Sequence, residues 1–302
     1  NSIKMKQTFL QITFCVFALF FVSLTEAQVT IDQSNFIRPP VYTDTLYFSQ
    51  FSNLPAPSEG ADQVWDYSGL VEDFHGETEH FDGSNDPEIP GATGYYQQNL
   101  FFQFFLINNI AYETVDENGW YMRGRKNEDS TEDISWVTGS AGDILRFPAT
   151  TKFYEDVVPL VKFPATYGDQ WNSTRSDTFD FELTVAAFGL DSVPGFRKQD
   201  IVDTREVVGY GNLAIPRSDG TSTEPMEVLL IKSNVTAVDS FFLGGAPAPQ
   251  PLLDAFLLQQ GATTQGEAYF FYKPGFGSSL LFHVIGNDGF FQYRPQAEYS
   301  NL

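Results

Sequence analysis

Residues 178–186 read TFDFELTVA, and this stretch decides the fold class. Its apolar side chains occupy every second position: Phe179, Phe181, Leu183 and Val185. The polar positions between them are Asp180, Glu182 and Thr184. Because successive side chains of a β-strand point to opposite faces, the alternation predicts a strand with one face on a core and the other in water.

The neighbouring segments extend the β pattern along the chain. Residues 226–232 are apolar on both alternating faces, which predicts a central strand covered on both sides. Residues 110–115 and 120–125 flank a turn and predict a hairpin, and a second turn is predicted at 287–289. Residues 95–106 suit either a helical face or a buried strand, and their aromatic richness favours the strand.

Helix signals are few. Residues 252–260 are the best candidate for a short helix, after a proline-rich loop that should be extended and exposed. Because the chain shows no internal repeat and no long linker, we predict one large domain over 28–302, with a single weak boundary signal near 139–151. The expected fold is all-β, an antiparallel β-sandwich of jelly-roll-like or similar topology with at most one or two short helices.

The N-terminal segment predicts export. Met5 and Lys6 precede an apolar run over 9–24 that is too short for a stable membrane span, and Thr25 and Ala27 suit cleavage before Gln28. Residues 1–27 are therefore predicted to be a signal peptide, with residues 1–4 as read-through upstream of the true start. We expect a secreted protein, extracellular or at the cell surface, with the periplasm left open.

The composition of the chain limits the classes of partner that the protein is expected to bind. The formal net charge is -22, and the chain's single cysteine, Cys15, lies inside the predicted signal peptide, so the mature chain has no disulfide to rely on. An acidic surface repels phosphate, which argues against nucleic acid as a partner. No membrane span is predicted in the mature chain, because the apolar run over 99–110 is short and interrupted.

One loop suits calcium. Four oxygen-bearing side chains stand at alternate positions: Asp82, Ser84, Asp86 and Glu88. Short loops gather hard cations in this way, although a solvated turn is the alternative in a chain this acidic. No other cofactor is predicted.

A second metal hypothesis concerns one face of a strand over 71–81. That face would carry Asp73, His75, Glu77 and Glu79, with His80 pointing to the other side. Imidazole with carboxylate suits zinc or manganese, whereas the alternative is a solvated strand face.

Catalytic signals are weak, so no catalytic residue is nominated. Ser140 lies in a sequence that lacks the first glycine of a nucleophile elbow. Glycosidases need only two well-spaced carboxylates, which an acidic chain can always supply. The densest aromatic cluster comprises Tyr95, Tyr96, Phe101, Phe102, Phe104 and Phe105. If part of this cluster is exposed, it could stack on sugar rings or contact another copy.

Four segments resemble a known group of proteins. They are 64–70 (VWDYSGL), 162–171 (KFPATYGDQW), 209–213 (GYGNL, with Pro216) and 269–276 (YFFYKPGF). In this order they are similar to uncharacterised secreted β-rich proteins of Bacteroidota that are often exported by type IX secretion, although no sorting module is recognised here. The resemblance implies location and fold and offers no catalytic residues. We expect Trp65 and Trp171 to fill the sandwich ends, and Gly168 and Gly211 to relieve turn strain.

The leading functional hypothesis is a non-catalytic extracellular β-protein that acts in adhesion, surface coating or a self-assembled matrix. Its expected partner is another copy of itself, an extracellular glycan or another protein. The alternative is a carbohydrate-binding module or a glycan-acting hydrolase with an acidic, aromatic-lined cleft.

Overall fold

The computed structural model describes residues 28–49, 54–155, 157, 159–286 and 290–295, so the predicted signal peptide and the predicted turn at 287–289 lie outside the described residues. Within the described ranges the chain forms seventeen strands: β1 (Tyr42–Ser49), β2 (Gly60–Asp66), β3 (Phe74–Asp82), β4 (Gly94–Phe102), β5 (Phe105–Asp116), β6 (Gly119–Asn127), β7 (Ser130–Asp133), β8 (Ile144–Phe147), β9 (Thr150–Phe153), β10 (Pro159–Lys162), β11 (Gln170–Val185), β12 (Leu190–Ala214), β13 (Met226–Leu243), β14 (Ala246–Pro247), β15 (Thr263–Tyr272), β16 (Ser279–Ile285) and β17 (Phe291–Tyr293). Two short helices accompany them: α1 (Ser135–Thr138) and α2 (Gln250–Ala255).

The strands pair into one continuous sheet, which confirms the all-β prediction. The order runs β10–β6–β5–β4–β3–β1–β17–β16–β15–β13–β12–β11–β8–β7. Strand β9 joins β6, β14 joins β13, and β2 joins the C-terminal part of β12. The β2–β12 pair is parallel, whereas the other pairings of the described strands are antiparallel.

The sheet doubles back so that distant strands face each other, which gives the sandwich-like architecture. One apolar cluster joins the β4–β5 hairpin to β8, β11 and α2: it includes Phe102, Phe105, Phe147, Phe181 and Leu252. A second cluster includes Ile31, Val161, Trp171, Leu229 and Tyr272. A third lies on the other face of β13 and includes Trp65, Val228, Leu230 and Phe271. Burial of these side chains supplies the main driving force for folding.

The two strands that the sequence defined best are confirmed. Phe179, Phe181, Leu183 and Val185 are all buried, as the alternation over 178–186 predicted. The strand β11 that contains them begins eight residues earlier, at Gln170, because its N-terminal half is stabilised by a long pairing with β12. Residues 228–231 of β13 are fully buried on both faces.

The predicted hairpin is β5–β6, closed by the pairing of Asp116 with Gly119. The strand interpretation of 95–106 is also confirmed, but a tight turn divides this segment into β4 and β5. Gln103 adopts a left-handed φ of 55° in that turn, without a Gly, Asn or Asp to mark it. The predicted helix is present as α2 and is shorter than expected, because the chain reverses at Leu257, where φ is 56°.

The family-like segments lie in the core and at its edges. Trp65 and Trp171 are buried, and Gly168 occupies a turn with φ of 92°, as expected. The prediction for Gly211 was wrong, because this residue lies inside β12 and not in a turn. A side chain there would collide with the carbonyl oxygen of Gln63, so glycine permits the parallel approach of β2.

Residues 139–151, where a boundary signal was noted, contain β8 and the start of β9, which pair with β11 and β6. In the part of the chain that the structure describes, no helix has the length and apolar character needed to cross a membrane.

Candidate functional site

The predicted calcium loop splits into two small turns. The Asp82 carboxylate accepts a hydrogen bond from the Ser84 amide N–H (2.9 Å), and Asp86 accepts one from the Glu88 amide N–H (2.9 Å). Asp86 and Glu88 are brought together, whereas Asp82 and Ser84 cap their own turn.

The cation between Asp86 and Glu88 is a side chain of this protein. Lys126 Nζ lies 2.7 Å from an oxygen of each carboxylate, and the Tyr112 hydroxyl donates to Asp86 at 2.7 Å. Partial burial opposes ionisation of Asp86, but the hydrogen bonds from Lys126 and Tyr112 outweigh it and lower its pKa to about 2. These contacts attach the loop to Tyr112 of β5 and Lys126 of β6.

Metal binding stays a prediction at both candidate sites. Among the residues that the structure describes, no group of three or more His, Cys, Asp or Glu side chains is arranged to hold a metal ion. His75 contacts Glu72 at 2.6 Å and stacks on Tyr47, on the exposed face of β3. His80 points to the opposite, buried face, as the strand period predicted.

A buried ion pair lies between the two layers, and we call Arg38 and Glu113 the central ion pair. Arg38 donates from Nε and Nη2 to the two oxygens of Glu113, at 2.9 and 2.8 Å. Its Nη1 group donates to the Gly277 carbonyl oxygen and the Ser278 hydroxyl, at 2.7 and 3.0 Å. All of these groups are buried or nearly so, and a side chain on Gly277 would collide with Arg38.

His80 and Trp120 complete this network. The remaining Arg38 Nη2 contact is with His80 Nδ1 at 3.4 Å; since arginine can only donate, this nitrogen accepts and the imidazole is neutral. Burial lowers the pKa of His80 to about 3, and the Arg38 charge acts in the same direction. Trp120 donates to Glu113 (3.1 Å) and lies under the Arg38 guanidinium. The network is closed and joins five segments of the chain.

A cavity of about 390 Å³ lies where β9 and β10 face β11 and β12. Two of the three carboxylates that line it are engaged, Asp177 by Arg125 and Asp203 by Arg205, and the third is Glu155. Asp203 pairs with Ser173, four residues from Asp177, so the two acids stand roughly 13 Å apart along the strands. That exceeds the separation of about 5–9.5 Å that glycosidases use, so this pair does not form a glycosidase site.

The tip of the β4–β5 hairpin exposes an apolar surface. We define the hairpin surface as Phe101 (72% exposed), Phe104 (47%), Leu106 (50%) and Trp136 of α1 (64%). Phe104 and Trp136 contact edge to face, with ring centroids 5.5 Å apart. The alternate side chains Phe102 and Phe105 anchor the hairpin in the core, so the aromatic cluster is divided between core and surface.

The part of this hairpin nearest its tip carries no charged residue. Residues 89–112 contain no Asp, Glu, Lys, Arg or His, in a chain of net charge -22. Strand β4 pairs with β3 only over Gly94–Tyr96, and beyond that point β5 is its sole strand partner among the described residues. Residues 97–102 therefore present an open strand edge, with Gln97 and Asn99 exposed beside Asn108 of β5.

No protein-family model, no curated protein and no solved structure matches this chain.

Sequence reasoning named the aromatic cluster and missed the open edge beside it. The charge-free run over 89–112 is visible in the sequence and could have pointed to this hairpin. The central ion pair gave no signal, because Arg38 and Glu113 are 75 residues apart.

Proposed function

We propose that this protein is a secreted, non-catalytic β-protein that associates with copies of itself through the hairpin surface and the open β4 edge. The observation that carries the proposal is the coincidence of exposed aromatic side chains, an unpaired strand edge and a charge-free segment on one hairpin. Large exposed apolar patches mark association sites on soluble proteins.

Charge explains why association would use this hairpin. Two copies with a formal charge of -22 repel each other over most of their surfaces. The segment 89–112 adds no charge to that repulsion, so copies approach there at the lowest electrostatic cost. An open edge then offers backbone N–H and C=O groups for an added strand, and low charge with high β propensity favours such pairing.

Light scattering during size-exclusion chromatography over a range of protein concentrations tests the proposal. We expect association that strengthens in about 1 M NaCl, where the Debye length falls to about 3 Å and repulsion is screened. Leu106→Lys places a charge in the contact and should weaken association by at least about 10-fold. Val71→Lys, at a loop position of similar exposure (62%), should leave association unchanged. A wild-type chain that stays monomeric in high salt contradicts the proposal.

Export is tested separately. We expect the mature protein to be recovered from the medium or cell surface with Gln28 as its first residue. An intact N-terminus on an intracellular protein would contradict this part of the proposal.

A further inference from the structure

A second cavity lies beside the hairpin, at the seam between the two layers of the sandwich. We call it the seam cavity; its volume is about 200 Å³. It is lined by residues of β4, β5 and β6 on one side and by residues of β11 and β12 on the other. It is separate from the outward-facing part of the hairpin surface that carries Phe104 and Trp136.

Part of the lining of the seam cavity consists of aromatic and aliphatic side chains. Phe101, Phe102 and Phe179 line it together with Leu100 and Ile107. Phe102 and Phe179 are held in the core, whereas Phe101 is largely exposed and belongs to both the cavity wall and the hairpin surface. Rigid aromatic faces of this kind pack against the C–H groups of a ligand at a low entropy cost.

The charged residues of the lining take part in two ion pairs. Arg125 Nη1 donates to Asp177 at 2.7 Å, and Arg197 donates from Nε and Nη2 to Asp239, both at 2.9 Å. Gln199 Nε2 also donates to Asp239, at 3.0 Å. These side chains are fixed in place before any ligand arrives, which is how binding sites reduce the entropy cost of association.

Several polar groups of the seam remain unused. Arg125 Nε is buried and has no hydrogen-bond acceptor among the described residues. Arg197 Nη1 and Gln199 Oε1 make no hydrogen bond to another described residue, since the Asp239 contacts use only their neighbouring atoms. Arg197 and Gln199 therefore offer a spare donor and a spare acceptor beside an apolar face, whereas the buried Arg125 Nε is out of reach of a ligand. Small-molecule sites commonly have this composition.

The charges of the seam select the class of ligand. Arg125, Asp177 and Arg197 line the cavity, and Asp239, which lies outside the lining, neutralises Arg197, so the two ion pairs together carry no net charge. A charged ligand would disturb two satisfied pairs, whereas an uncharged ligand with hydroxyl groups can both accept and donate without adding charge. We propose that the seam cavity binds one uncharged sugar residue, with an apolar ring face on Phe101 and hydroxyl groups on Gln199 and Arg197.

Isothermal titration calorimetry of the purified protein tests this site. The probes are the neutral monosaccharides glucose, mannose and galactose, with glucuronic acid as the charged comparison. We expect at least one neutral sugar to bind with a Kd of about 1 mM or lower, and glucuronic acid to bind at least about 10-fold more weakly than glucose. If no neutral sugar binds below about 10 mM, or if the charged sugar binds equally well, the proposal is wrong.

Three variants locate the binding. Phe101→Ala and Gln199→Ala should each weaken sugar binding at least about 10-fold, whereas Phe104→Ala, on the same hairpin but outside the cavity, should change the Kd less than about two-fold. Equal losses in the two phenylalanine variants would move the site to the hairpin surface and overturn the proposal. Gln199→Ala leaves the hairpin surface intact, so sugar binding and self-association can fail independently. Thermal melts confirm that each variant is folded.

Discussion

Two arginine–carboxylate regions inside the sandwich differ in how completely their hydrogen bonds are satisfied. In the central ion pair, all five N–H groups of Arg38 have acceptors and the guanidinium lies on Trp120. In the seam cavity, Arg125 Nε has no acceptor among the described residues, and water-sized space lies beside the pair. The closed network can only hold the layers together, whereas the open one keeps polar groups for a ligand.

Breaking the central ion pair should give the largest effect. Glu113→Gln leaves the Arg38 charge buried without a counter-charge, since both side chains are at most 6% exposed. We expect the free energy of unfolding to fall by about 3–5 kcal/mol, measured by urea denaturation. A loss below about 1 kcal/mol is typical of surface ion pairs and would contradict the difference drawn between the central ion pair and the seam cavity.

Breaking the Arg125–Asp177 pair at the seam cavity should lower the free energy of unfolding by a smaller amount. Asp177 is 18% exposed and borders a cavity, so water can solvate Arg125 after Asp177→Asn. We expect a loss of about 1.5–3 kcal/mol under the same conditions. If Asp177→Asn lowers the free energy of unfolding as much as Glu113→Gln does, then water does not solvate Arg125 at the seam cavity and the contrast with the central ion pair is wrong.

Low pH should reduce the free energy of unfolding, because two histidines are buried in the neutral form. Burial lowers the pKa of His283 to about 4, and His80, in the central network, is lowered to about 3. The unfolded chain binds these protons near pH 6.5 and the folded chain does not, so stability falls as the pH drops from about 6.5 toward those folded values.

His283→Phe isolates one of these contributions. His283 stacks on Phe291 with ring centroids 4.0 Å apart, and its Nδ1 has no partner among the described residues, so phenylalanine keeps the packing. We expect the loss of unfolding free energy between pH 7 and pH 5 to be smaller in this variant by roughly 1.5–2 kcal/mol. An unchanged pH dependence would show that His283 does not stay neutral in the fold.

Breaking an exposed ion pair should give the smallest loss of stability of the three. Lys198 contacts Asp200 at 2.8 Å, and both side chains are well exposed on β12. Solvent screens such pairs, so Lys198→Ala should leave the urea midpoint unchanged within error. A measurable shift would show that contact distance, and not burial, separates the three pairs.

Sequence patterns anticipated the elements better than the sites. The alternation over 178–186 predicted both the strand and its buried face, because the period of a strand is local. The N-terminal half of β11 was missed, since its polar residues have no apolar period and depend on pairing with β12. Three residues of the calcium prediction, Ser84, Asp86 and Glu88, lie in the loop after β3, and Asp82 ends that strand. The position of Lys126 between Asp86 and Glu88 depends on a strand 38 residues after Glu88.

Local side-chain chemistry and spacing determined that this chain forms β-strands with a few short helices, because alternation and turn residues act over a handful of positions. Only the tertiary structure decided which of two adjacent phenylalanines, Phe101 or Phe102, is exposed, since strand register assigns them to opposite faces. It also decided that Arg38 meets Glu113 and that the pairing of β3 with β4 ends at Tyr96. Such contacts join residues far apart in the chain, and no local pattern encodes them.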